Sequence, residues 1–135
     1  MVTSISAITN KQIVVDAYNA LAQGDPSVYV NALSEDVRHT FFGNHRFGRT
    51  FQGKDDLYKN LFGPMREVLQ GTVKMHVKNA IAEGDQVVVE VQGEARTKDG
   101  RDYNNSYCIV LKIRGGKIVE IREYLDTELV KTLFG

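Results

Sequence analysis

YNNSYCIVLKIRGGKIVEIREYL, residues Tyr103 to Leu125, alternates in character with a period of two on either side of Arg114-Gly115-Gly116. A strand sends successive side chains to opposite faces, so Tyr103, Asn105, Tyr107, Ile109, Leu111 and Ile113 share one face. Asn104, Ser106, Cys108, Val110 and Lys112 share the other. The first set is bulkier and more apolar, and it is the face expected to line the inside of a curved sheet. In the following strand Val119, Ile121, Glu123 and Leu125 fall together, against Ile118, Glu120, Arg122 and Tyr124. A type I turn with a glycine bulge at Arg114-Gly115-Gly116 sets Tyr107 opposite Glu123. Glu123 thus stands among apolar neighbours on the face to be buried. A carboxylate there is costly unless it is hydrogen-bonded or protonated, which makes Glu123 the candidate for proton transfer. The plainer alternative is that it pairs with a nearby basic side chain or lies at an open mouth.

Working outward, the period of two extends back to Thr72, giving strands near 72–82, 85–96, 103–113 and 117–125. Glu83-Gly84, Lys98-Asp99-Gly100 and Arg114-Gly115-Gly116 separate them with hairpin chemistry. The register of the middle hairpin is open. A two-residue turn at Asp99-Gly100 brings Glu94, Gln92 and Glu90 opposite Asn105, Tyr107 and Ile109, and aims Glu90 into the cavity. A three-residue turn at Lys98-Asp99-Gly100 slips the register by one, turning Val87, Val89 and Val91 inward and Glu90 outward.

The first half reads as helices. Asn10 stands as an N-cap before a stripe of Ile13, Val14, Ala17, Tyr18 and Leu21, and Gly24 ends that helix. Asp25-Pro26 opens a second, short helix with Tyr29, Ala32 and Leu33 on its apolar side. A strand follows over Val37–Phe42, then a loop or irregular hairpin to Gln52 that buries Phe47 and Phe51. A third helix runs from Lys54 to Phe62 with Leu57, Tyr58, Leu61 and Phe62 inward; Gly63-Pro64 breaks it, and a further turn carries Met65, Val68 and Leu69. Helices first and a strand meander afterwards is an α+β pattern: a curved antiparallel sheet wrapped around three N-terminal helices, with a pocket where the helices fail to fill the concavity.

The chain has 135 residues, and its 42% hydrophobic and 25% charged fractions suit one globular domain over 1–135 and exclude a disordered chain. Seventeen basic residues balance seventeen acidic ones, so no net field favours nucleic acid or an acidic membrane. One cysteine, Cys108, supports neither an internal disulfide nor a thiolate metal site, and it falls on the polar strand face with no histidine partner in view. Met1–Ala7 has no basic, apolar leader pattern, and no run reaches a membrane span; a cytoplasmic protein without cofactor is the expectation. His39 and His45 lack metal-ligand spacing; His39 shares parity with Phe41, as a pocket acid/base or a core histidine. His45 reads as a loop residue and His76 as a solvated one.

Five short motifs in this order carry a family resemblance. They are Tyr18 through Gly24-Asp25, Leu33-Ser34-Glu35-Asp36-Val37, Phe51-Gln52-Gly53-Lys54-Asp55, Gly100-Arg101-Asp102-Tyr103-Asn104-Asn105, and Gly116-Lys117-Ile118 leading to Arg122-Glu123-Tyr124-Leu125-Asp126. Over nearly its whole length the chain resembles the nuclear-transport-factor-2-like (NTF2-like, cystatin-like) superfamily, in its SnoaL-like, ketosteroid-isomerase-related branch. The resemblance implies a cone-shaped α+β fold with a deep apolar pocket, paired as a homodimer through the sheets. It sets pocket-lining positions at Tyr18, Leu21, Asn105, Tyr107 and Leu125, with Phe41 beside them. The positions of the isomerases' general-base and oxyanion-hole aspartates match Phe41 and Ile109, a departure from that chemistry. Against limonene-epoxide hydrolases, the Arg-x-Asp pair and the last-strand Asp fall at Glu90, Gln92 and Glu123, where the last-strand carboxylate is kept as Glu but the arginine is not, and the water-holding Tyr and Asn fall at His39 and Phe41, another departure. Glu123, Glu90 and His39 are therefore the catalytic candidates. The expected occupant is a small hydrophobic or cyclic ligand, processed by cofactor-independent acid/base chemistry of the isomerase, cyclase, lyase or epoxide-hydrolase kind. The alternative is a non-catalytic module that holds a hydrophobic ligand or dimerises.

Overall fold

A computed structural model describes residues 2–135, with side chains from Thr9 onward. The expectation about a leader in Met1–Ala7 falls outside the described side chains. Helix α1 spans Val2–Ala22 and α2 Ser27–Ala32; strand β1 (Leu33–Phe41) and the short β2 (Thr50–Gln52) follow. Next come α3 (Gly53–Leu57), a π-helical turn (Tyr58–Phe62) and α4 (Gly63–Val68). Strands β3 (Lys74–Glu83), β4 (Gln86–Glu94), β5 (Ser106–Arg114) and β6 (Lys117–Leu125) precede a last helix, α5 (Thr127–Phe134). The strands form one curved sheet in the order β2-β1-β6-β5-β4-β3. The α+β architecture matches the expectation, with one difference: β1 pairs parallel to β6, so the sheet is mixed.

The concave face carries the core. On β5 and the segment entering it, Tyr103, Asn105, Tyr107, Ile109, Leu111 and Ile113 are all buried, as the alternation predicted. Val14, Ala17, Tyr18 and Leu21 bury the inner stripe of α1, which packs across β3 and β4. Among the described residues no helix is long and apolar enough to cross a membrane.

Several local expectations are corrected. Asn10 is no N-cap: α1 begins at Val2, and the Asn10 amide donates to the Gly84 carbonyl at 3.3 Å, tying the helix to the β3–β4 turn. The N-cap of α2 is Pro26, not Asp25, whose carboxylate stands just ahead of it and accepts from the Ser27 N–H at 2.9 Å. Gly63-Pro64 does not break its helix. The Gly63 N–H reaches back to the Tyr58 carbonyl, and this widened turn takes in a proline that has no N–H of its own. Within it Leu57 and Leu61 are buried, whereas Tyr58 is exposed.

The two hairpins differ from each other. Thr97 N–H bonds to the Arg101 carbonyl, leaving a three-residue loop at Lys98-Asp99-Gly100 and pairing Val91 with Tyr107 and Glu90 with Cys108. The slipped register therefore holds. The β5–β6 turn is tighter than expected: Arg114 pairs with Lys117, and Gly115 and Gly116 both take positive φ, the two-residue hairpin geometry. A bulge between Lys112 and Ile113 shifts the register, so Ile109, not Tyr107, lies opposite Glu123, and Tyr107 lies opposite Leu125. The same bulge buries Ile118 and leaves Val119 only half-buried.

Candidate functional site

Glu123 is buried, at 5% exposure, on the concave side of β6. The parallel pairing sets Phe41 of β1 beside it, and His39 two residues earlier. From there His39 Nε2 lies 3.0 Å from Glu123 Oε1. His39 is itself 2% exposed, its ring stacked on Phe41 at 4.5 Å between centroids. The basic partner considered from sequence thus exists, and it is also the histidine that parity placed on this face. Nδ1 of His39 is buried without a hydrogen-bond partner. As a hydrogen bond the contact carries a proton between Nε2 and Oε1, given by the ring or by the carboxyl according to the tautomer.

Four tyrosines surround the pair. Tyr18 and Tyr29 meet edge to face at 5.5 Å; Tyr103 and Tyr107 come from the segment entering β5 and from β5 itself. Burial drives all four phenols above their ordinary ionisation range, and the Glu123 charge adds to this in each case. They therefore stay protonated at neutral pH and face the site as hydrogen-bond donors. The Tyr18 hydroxyl is buried and satisfies no hydrogen bond of normal geometry.

These groups border a cavity of about 140 Å³ with a mostly apolar wall. Tyr18, Leu21, His39, Phe41, Tyr107, Glu123 and Leu125 line it, as the sequence suggested. Two candidates do not. Glu90 lies on the outer face of β4, exposed and bonded to the Asn79 amide at 3.0 Å, because the three-residue loop slips the register away from the cavity. Asn105 is fully buried behind the wall. Its Oδ1 accepts the Ser106 and Asp126 N–H groups at 2.8 and 3.0 Å, and its Nδ2 donates to the Asp126 carbonyl and the Tyr103 hydroxyl. It holds the wall together and leaves no group free for a ligand.

The last helix was missed altogether. Asp126 caps α5 by accepting from the Glu128 and Leu129 N–H groups, and Val130 and Phe134 close one end of the cavity. Phe134 packs edge-on against Phe47 at 5.4 Å and Tyr103 at 5.1 Å. The capping aspartate ahead of apolar residues spaced by four was the available signal. Tyr29 and Tyr103 were read as core and prove to be wall as well. His45 also borders the cavity; the Phe47 N–H donates to its Nδ1, which leaves the ring proton on Nε2, donated to the Phe42 carbonyl. Cys108 is exposed on the outer face. Among the described residues no three His, Cys, Asp or Glu side chains cluster as a metal site.

Comparison with known proteins finds a family model, the SnoaL-like domain, matching residues 14–121. An uncharacterized protein of Mycobacterium tuberculosis, Rv0034, is 22% identical over 107 residues, 79% of this chain and 81% of its own. Among solved structures, Bal32a from a soil-derived mobile gene cassette superposes with a TM-score of 0.81 at 20% identity, covering 96% of this chain and 99% of that one. An NTF2-like protein from Burkholderia thailandensis gives 0.78 at 22% identity, with coverages of 93% and 97%. TerC, co-crystallized with polyporic acid, gives 0.75 at 20% identity, with coverages of 93% and 98%. At these identities the likeness is one of fold.

Proposed function

From the premise that the chain belongs to the SnoaL-like domain family, we propose that its cavity binds a small cyclic molecule and that Glu123 moves a proton on it. The observation that carries this reading is the buried 3.0 Å contact between His39 and Glu123 at the wall of an apolar cavity. An apolar cavity of about 150 Å³ is known to take benzene, so the enclosed space here suits one six-membered ring. The ligand held by TerC supports a small-molecule occupant.

In this reaction the Glu123 carboxylate takes a proton from a carbon next to a ring carbonyl, and the electron pair moves onto the carbonyl oxygen. A tyrosine hydroxyl, held protonated by burial, donates a hydrogen bond to that oxygen. Return of the proton to the same or a conjugated carbon completes an exchange or an isomerisation with no other reactant. His39 keeps the carboxylate oriented and shares its proton. The apolar wall excludes water, which strengthens each of these interactions.

The test is proton exchange into cyclohex-2-enone in deuterium oxide, followed by NMR. We expect exchange with the unaltered protein and a loss of about 100-fold or more in Glu123→Gln, with folding checked by circular dichroism. Exchange that survives Glu123→Gln at the same rate overturns the proposal and leaves ligand binding without catalysis. A homodimer is the companion proposal. The stacked Phe42 and Tyr124 rings, 4.5 Å apart and 38% and 46% exposed, support pairing of two copies at this patch, to be read by light scattering on Tyr124→Glu.

A further inference from the structure

We propose that the occupant of the cavity is a single-ring carboxylic acid, bound with its ring in the enclosed part and its carboxylate at the rim against Arg66. This rests on the acid/base reading above and names the class of molecule that the same site takes. Two charged groups border the otherwise apolar wall, and they lie at different depths. Glu123 is buried, whereas Arg66, on α4, is exposed where the wall meets solvent.

Arg66 is the one lysine or arginine among the described lining residues. It makes no ion pair among the described residues, unlike Arg49, which holds Asp56 at 2.7 Å, or Arg122, which holds Glu120 at 3.0 Å. Neither histidine at the wall substitutes for it: His39 is bound to Glu123 at 3.0 Å, and His45 is engaged at both ring nitrogens. The His45 ring accepts the Phe47 N–H at Nδ1 and so is neutral in this arrangement. An anion entering the cavity therefore meets a cation at the rim and a carboxylate on the inner wall. The attraction of Arg66 at the rim and the cost of burying a charge in the apolar interior orient it, acid group outward and neutral ring inward against the tyrosines. A ligand that carried its charge to the inner end would lose its hydration against an apolar wall, where the one carboxylate is already bound to His39 and no cation among the described residues is free to hold the anion. The same polarity keeps an ionised group away from the proton-transfer step.

The experiment is calorimetric titration of the whole chain with benzoate, phenylacetate and 3-phenylpropanoate, each against its primary amide. At low salt we expect at least one acid to bind about three- to tenfold tighter than its amide, the size of a well-placed exposed ion pair. The preference shrinks as salt is added. It disappears in Arg66→Gln and reverses in Arg66→Glu, exposed substitutions that leave the core intact. Equal binding of acid and amide, persistence of the preference in Arg66→Gln, or no binding by either series overturns the proposal. The two readings fail separately. An acid preference without cyclohexenone exchange removes only the catalytic role of Glu123, and exchange without an acid preference removes only the role of Arg66.

Discussion

Tyr18 presents a buried hydroxyl with no regular hydrogen bond, on a helix whose neighbouring stripe is apolar. An orphaned polar group in a protein interior forfeits its hydration, so removing it relieves a cost. Tyr18→Phe is therefore expected to leave stability unchanged or to raise it by up to about 1 kcal/mol, as read by thermal denaturation; a loss of more than that would reveal a bond to Tyr29 that the folded geometry does not display. Glu123 was legible from sequence because it is a lone carboxylate on an apolar strand face. Its partner was not legible. His39 and Glu123 are 84 positions apart, and only the parallel pairing of β1 with β6 brings them together. Asn105 shows the opposite failure. Parity placed it correctly on the buried face, but the backbone groups of Asp126 and Ser106 already occupy its amide.

At the scale of elements, that amide is what joins α5 to β5. Asn105→Leu leaves the Asp126 and Ser106 N–H groups without their acceptor and is expected to cost about 2–4 kcal/mol. Hydrogen exchange should rise across residues 126–134 ahead of the strands. Asn105→Asp keeps the acceptor oxygen but sets a second oxygen against the Asp126 carbonyl in place of the amide donor, so it should recover only part of the loss; equal protection of the helix in Asn105→Leu and the unaltered protein would contradict the assignment. Gly43 secures the other side of the same helix. Its φ is +114°, and a Cβ there would collide with the Thr127 side chain, so any larger residue pushes on the first turn of α5. The strands themselves were readable because the apolar residues alternate over long runs, whereas registers depend on single residues at the turns. Lys98-Asp99-Gly100 is compatible with a two- or a three-residue turn, and the Thr97–Arg101 bond selects the latter. At Gly115-Gly116 the bulge beyond the turn has no residue-level marker, and it moved Tyr107 away from Glu123. Pro64 misled for a related reason, since a widened turn removes the conflict that normally ends a helix there.

The four buried phenols act together on the whole molecule. Each has its ionisation raised above the ordinary value of 10.0 by burial. The folded state then holds protons that the unfolded chain would release. Stability is thus fully present below about pH 10 and falls as pH climbs from there toward the raised folded values, by up to about 1.4 kcal/mol per pH unit for each phenol. An alkaline titration should show these tyrosines ionising in one step that coincides with loss of circular dichroism. Ionisation of more than two of the six tyrosines while the dichroism persists would refute this.

The parallel register between β1 and β6 also has a consequence in time. The hydrogen-bonded residues His39 and Glu123 lie 84 positions apart, so the contact between these strands closes a long loop and forms late. A chain that has formed only its local helices and hairpins does not yet hold the His39–Glu123 contact. The contact between His39 and Glu123 is therefore among the last that the folding chain makes.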